Sequence, residues 1–111
     1  NDSNYPIIEM VRDIQGKMRI TKVTASHSVK TSRGDFFCSL TSSYIPANED
    51  EVGLTRTEGR VAAILLSMEV SLAAWRAARS ENAVTAQEHA EHEKALRHNT
   101  RIHLKRLSSE K

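Results

Sequence analysis

The chain is short of the residues that make a small protein rigid or chemically conspicuous. It has one cysteine, two prolines, four glycines and five aromatic residues in 111. A lone Cys38 excludes an internal disulfide, and its neighbours Phe36, Phe37 and Leu40 mark it as a small hydrophobe with no activating cation beside it. That usage points to a reducing, intracellular setting, the cytoplasm. No run of ~18 consecutive apolar residues occurs, which argues against a spanning helix and a membrane partner. No secretory pattern opens the sequence either. Aromatics make up 5% of the chain, and much of the other apolar content is Ala, which buries little area per residue. One domain over residues 1–111 is therefore expected to gain the missing burial by homo-oligomerisation.

What is present is patterned. The formal charge of +2 is too mild to select a partner, but the charges are unevenly placed. Residues 49–58 hold Glu49, Asp50, Glu51 and Glu58 against Arg56, whereas residues 94–111 hold Lys94, Arg97, Arg101, Lys105, Arg106 and Lys111 against Glu110. From Pro6 to Gly16, the spacing of Ile7, Met10, Val11 and Ile14 predicts a short helix, with an edge strand as the rival for residues 1–17. Val23, Ala25, His27 and Val29 share one parity and Met18 and Ile20 the other, which predicts a strand with a bulge near Thr21 and Lys22. Phe36, Cys38, Leu40 and Tyr44 resume the alternation after a turn at Gly34, so 18–45 reads as a β-hairpin closed by Pro46 and Asn48.

Two helices should follow over 55–107. Thr55 with Glu58, and Thr85 with Glu88, have the spacing of capping boxes, and Ser80 to Asn82 supplies the break between them. The first helix carries Val61, Ile64, Leu65, Met68, Leu72 and Trp75 at steps of three and four, a stripe suited to burial between chains. The fold class is α+β: an antiparallel hairpin or small sheet, then a long two-helix hairpin, in an oligomer.

Chemical motifs are sparse. His89 and His92 are three apart and could share an ion, but His103 lies three to four turns further on, and the order fails the zinc-protease pattern. No metal, cofactor or catalytic residue is assigned, and the segment from Lys30 to Gly34 lacks the glycines of a phosphate loop. Lys94, Arg97, Arg101 and Lys105 fall within about 80° of arc on the second helix and could track phosphates or simply face water. Arg76 and Arg79 add forked donors near the bend, and Trp75 could serve either as core or as a base-stacking platform. The candidate ligand-binding set is thus Arg76, Arg79, Arg97, Arg101, Lys105 and Trp75.

From Met18 to Leu107 the order of elements, the size and the scattered arginines resemble small phage-encoded anti-defence proteins, in particular the Thoeris anti-defence sponges. The resemblance implies an N-terminal antiparallel β unit with C-terminal helices, an oligomer, and sequestration of cyclic nucleotide signals such as cyclic ADP-ribose isomers. No ligand motif of that family aligns, so the candidate residues come from chemistry alone. The expected function is non-enzymatic binding of a small anionic nucleotide at sites where subunits meet. The alternatives are a nucleic-acid-binding regulator using the basic last helix, or a protein that blocks a partner enzyme through Trp75 and the apolar stripe.

Overall fold

The computed structural model describes residues 6–44 and 53–110. Along the chain run β1 (Ile7–Arg12), β2 (Met18–Thr31), β3 (Gly34–Ser43), α1 (Arg56–Ser80) and α2 (Ala86–Ser108). The three strands form one antiparallel sheet in the order β1-β2-β3, so the α+β class holds. The closing Pro46 and Asn48, and the acidic residues from Glu49 to Glu51, lie outside the described residues.

The N-terminal helix expected from Pro6 to Gly16 is instead the edge strand β1. Its β-branched Ile7, Ile8 and Val11 favour extended backbone, and Met18 to Thr24 offers a pairing partner. Apolar residues that a helix would have gathered on one side are split by the strand. Ile8 packs against the core, while Ile7 and Ile14 stand 67% and 84% exposed. The turn closes on Asp13, whose Oδ1 accepts from the amides of Gln15 and Lys17, both at 2.9 Å.

The bulge falls where the change of parity placed it. Glu9 pairs with Lys22 and Met10 with Ile20, leaving Thr21 as the extra residue on β2. One inserted residue lets Ile20 and Val23, three apart, both point at the core. The β2–β3 hairpin extends two residues further at the turn than the alternation indicated, to Thr31 and Gly34. Thr31 Oγ1 binds that turn from both sides, donating to the Gly34 carbonyl and accepting from the Arg33 amide.

Both capping boxes are formed. Thr55 Oγ1 accepts from Glu58 N at 3.1 Å and Glu58 Oε1 accepts from Thr55 N at 2.9 Å, with the same reciprocal pair at Thr85 and Glu88. Between the helices Asn82 takes φ 59°, a left-handed position that Asn tolerates. The sheet receives the small-residue face of α1: Gly59, Ala63, Leu66, Val70, Ala74 and Ala78 are buried at steps of three and four over Ile20, Val23, Ala25 and Val29. The larger stripe is turned off that face, although Trp75 at its end packs against the cluster of Val29, Ala74 and Ala78. Its Ile64 and Met68 share a cleft with Leu96 and Thr100 of α2, and Leu72 is buried.

α1 also bears on the membrane question. It is 25 residues long with a window of mean hydropathy 1.5, so by length and composition it could cross a bilayer even without an unbroken apolar run. In this fold 39% of that window is buried, with the sheet against one side of the helix and α2 against another.

Gly59 marks the closest approach. A Cβ there would land on Ile20 Cδ1 and within 3.2 Å of Ile20 Cβ, and Ile20 is buried and β-branched, with little room to turn. Gly59→Ala should therefore destabilise by about 1–3 kcal/mol despite the better helix former. Adding Ile20→Val, which removes Cδ1, should make the pair less damaging than the sum of the singles. Urea denaturation of the four proteins tests this; strict additivity would refute the close contact.

Candidate functional site

β1 pairs with β2 only as far as Thr24, so beyond that point β2 is bonded to β3 alone among the described residues. α2 leans on α1 beside this stretch of β2. The core-facing row Val23, Ala25, Val29 is interrupted there by His27, which is half-buried. His27 meets His92 of α2 with ring centroids 6.2 Å apart and planes tilted by 41°. On its other side His92 stacks on Trp75 of α1 at 4.2 Å and 15°. Ser71, one turn before Trp75, completes the cluster through a 3.0 Å hydrogen bond between its Oγ and His92 Nε2.

Two clefts open on either side of the His27–His92 contact. One, of about 460 Å³, is lined by Trp75, Glu88 and the β2 segment from His27 to Ser32, including Lys30. The other, of about 540 Å³, runs between the helices past Ser67, Asn99 and His103 and is mostly apolar. Trp75 Nε1 and His89 Nε2 are buried without a hydrogen-bond partner among the described residues. Such unmade bonds cost free energy and cluster where a fold serves something besides stability.

Burial, with smaller contributions from His27 and His89, holds His92 below the usual imidazole pKa, so its neutral form dominates near pH 7. A neutral ring can donate from one nitrogen and accept at the other, which suits a hydroxyl on one edge and a ligand on the other. The pairing of Ser71 with His92 also has the elements of a nucleophile and its base. However, Ser71 is 4% exposed in mid-helix, where the surrounding backbone amides are bonded within the helix and leave no oxyanion donors. Among the described residues no group of three His, Cys, Asp or Glu side chains is placed to hold a metal ion.

The residues singled out from the sequence do not meet within one chain. Trp75 lies in the cleft, whereas Arg97, Arg101 and Lys105 are exposed on a flank of α2 that lines neither cleft. Arg97 is engaged by Glu93, with Nη2–Oε2 at 2.7 Å. Arg76 and Arg79 sit near the end of α1, and the charge of Arg76 reaches Glu93, whose pKa falls chiefly through its hydrogen bond from Arg97. His27 and Ser71 went unremarked as site residues. Their signal was present, a His on the buried parity of β2 and a Ser inside an apolar helix.

Comparison with known protein families, with curated proteins and with solved structures finds no match to this chain.

The depressed pKa of His92 carries a pH dependence. The unfolded ring takes a proton near pH 6.5 and the folded one only at lower pH, so this contribution is complete above about 6.5 and is lost as pH falls below it. The melting temperature should drop between about pH 7 and pH 5, and His92→Gln should flatten that slope. A variant as pH-sensitive as the parent would place the effect on other histidines.

Proposed function

We propose that the protein binds a small nucleotide-like anion without transforming it, and that the cleft between β2, α1 and α2 is the site. The observation that carries this reading is the Trp75–His92 stack, two flat rings packed at 4.2 Å at the edge of a polar cleft. Stacked rings suit a purine or similar planar group. Lys30 with the hydroxyls of Ser28 and Ser32 gives the same cleft a cation and neutral donors for a phosphate. The absence of oxyanion donors around Ser71 favours holding a ligand over hydrolysing it. Sequestering a cyclic nucleotide signal in an anti-defence role agrees with this chemistry and with the resemblance to the Thoeris anti-defence sponges. The unpartnered Trp75 Nε1 supports the placement, because a small shift on binding would satisfy it.

A second reading has one observation in its favour. Lys94, Arg101 and Lys105 form an exposed row on α2 with no ion pair among the described residues, as a nucleic-acid backbone contact would require. It differs in its salt dependence, which should be steep and should grow with polymer length.

Trp75 is the one tryptophan of the chain, so its emission reports the cleft directly. Titration with adenosine monophosphate, ADP-ribose and cyclic ADP-ribose should change Trp75 emission saturably and raise the melting temperature. His92→Ala and Lys30→Ala should each weaken binding by about tenfold or more, the equivalent of one charge-assisted hydrogen bond or stacked ring. No response to any of the three compounds, together with tight and salt-sensitive binding of single-stranded DNA, would favour the second reading.

A further inference from the structure

The side of the molecule opposite the cleft carries an unprotected sheet edge. β3 is bonded to β2 along one side and to no strand along the other among the described residues. Natural edge strands are usually blunted by charge or proline. β1, the other edge, follows that rule with Glu9 and Arg12, but β3 has no charged residue from Phe36 to Ser43. Its core-facing Phe36, Cys38 and Leu40 are only half-buried, since α1 covers them from one side.

The adjoining flank of α1 is equally open. It presents Ala62, Leu65, Glu69, Ala73, Arg76 and Ala77. Ser42 and Tyr44 share a cleft with Thr57 to Glu69, while Arg33 to Phe36 share another with Ala77 to Glu81. β3 and α1 therefore run antiparallel, and the middle of β3 lies below the segment near Leu72 and Ala73. Glu69 and Arg76 are seven residues apart, two turns along the same flank. They stand symmetrically about the point between Leu72 and Ala73; neither makes a close ion pair within the chain among the described residues, and Arg76 is attracted to Glu93 only at longer range.

We propose that this face pairs with the same face of a second copy of the chain about a two-fold axis passing by Cys38 and between Leu72 and Ala73. A two-fold contact is self-complementary, so Glu69 of each copy meets Arg76 of the other. β3 pairs antiparallel with its counterpart, the sheet grows to six strands, and both free edges disappear into it. Ala73 lies at the crossing, where a small side chain lets the helices approach. The uncharged run from Phe36 to Ser43 becomes a central strand, for which its composition is suited. This surface is on the far side of α1 from the His27–His92 contact, so the inference stands independently of the ligand reading.

Sedimentation at micromolar concentration should give twice the 12.4 kDa chain mass. Glu69→Arg alone and Arg76→Glu alone should each return the chain to monomer mass, because like charges then face each other twice. The double variant Glu69→Arg with Arg76→Glu should recover the dimer, an outcome that general damage to the fold would not produce. Residues directly opposite in antiparallel strands lie about 4.5–5.5 Å apart at Cα, within disulfide reach. Mild oxidation should therefore cross-link the wild type through Cys38, and Cys38→Ser should not cross-link. A monomeric wild type, or a dimer indifferent to both single reversals, would overturn the proposal.

Discussion

The close approach of α1 to β2 is the constraint from which the rest of this structure follows. Gly59, Ala63, Ala74 and Ala78 let the helix settle on Ile20, Val23, Ala25 and Val29 with little between the two backbones. A helix seated on its smallest residues must send its large ones elsewhere. Ile64, Met68 and Leu72 therefore turn sideways and give α2 something to lie on, while Leu65 is left 38% exposed on the opposite flank. Ile20 links this contact to its surroundings, since its backbone also bridges to Leu54 ahead of the first capping box.

The cleft arises from unequal strand lengths. β2 runs for 14 residues, but β1 accompanies it only to Thr24. Beyond that point the inner face of the sheet meets α2 through side chains, and those side chains are polar: His27 and His92, with Ser71 and Trp75 behind. A fold selected only for stability would fill such a place with leucine. Keeping the His92 imidazole there below its usual pKa, beside an unbonded Trp75 Nε1 among the described residues, is the kind of local expense that binding sites make.

Much of the fold was legible because its signals are local. The capping boxes need only four residues each, and the bulge at Thr21 is visible in the change of parity between Ile20 and Val23. Helix and edge strand compete over residues 1–17 because Ile7, Met10, Val11 and Ile14 fit helical spacing, while the pairing of β1 with β2 across a turn depends on a tertiary partner that periodicity does not encode. The same limit governs the site. Trp75 and His92 were each conspicuous, but their stacking depends on how α2 lies along α1, and His27 joins them from a segment that no spacing rule connects to either. The arginines attracted notice by charge, and the structure distributes them around the helices instead of gathering them.

The seating of α2 has a consequence for motion. Its backbone packs on α1 and not on the sheet, and it bears just two buried residues, Thr100 and Leu107. The turn that joins it to α1 passes through the left-handed Asn82. An element with so little buried surface is held more weakly than the sheet and α1, with the Arg60–Glu110 ion pair tying its far end back to α1. His92 is the point at which α2 meets both His27 and Trp75, so a lifting of α2 would part both ring contacts in one movement.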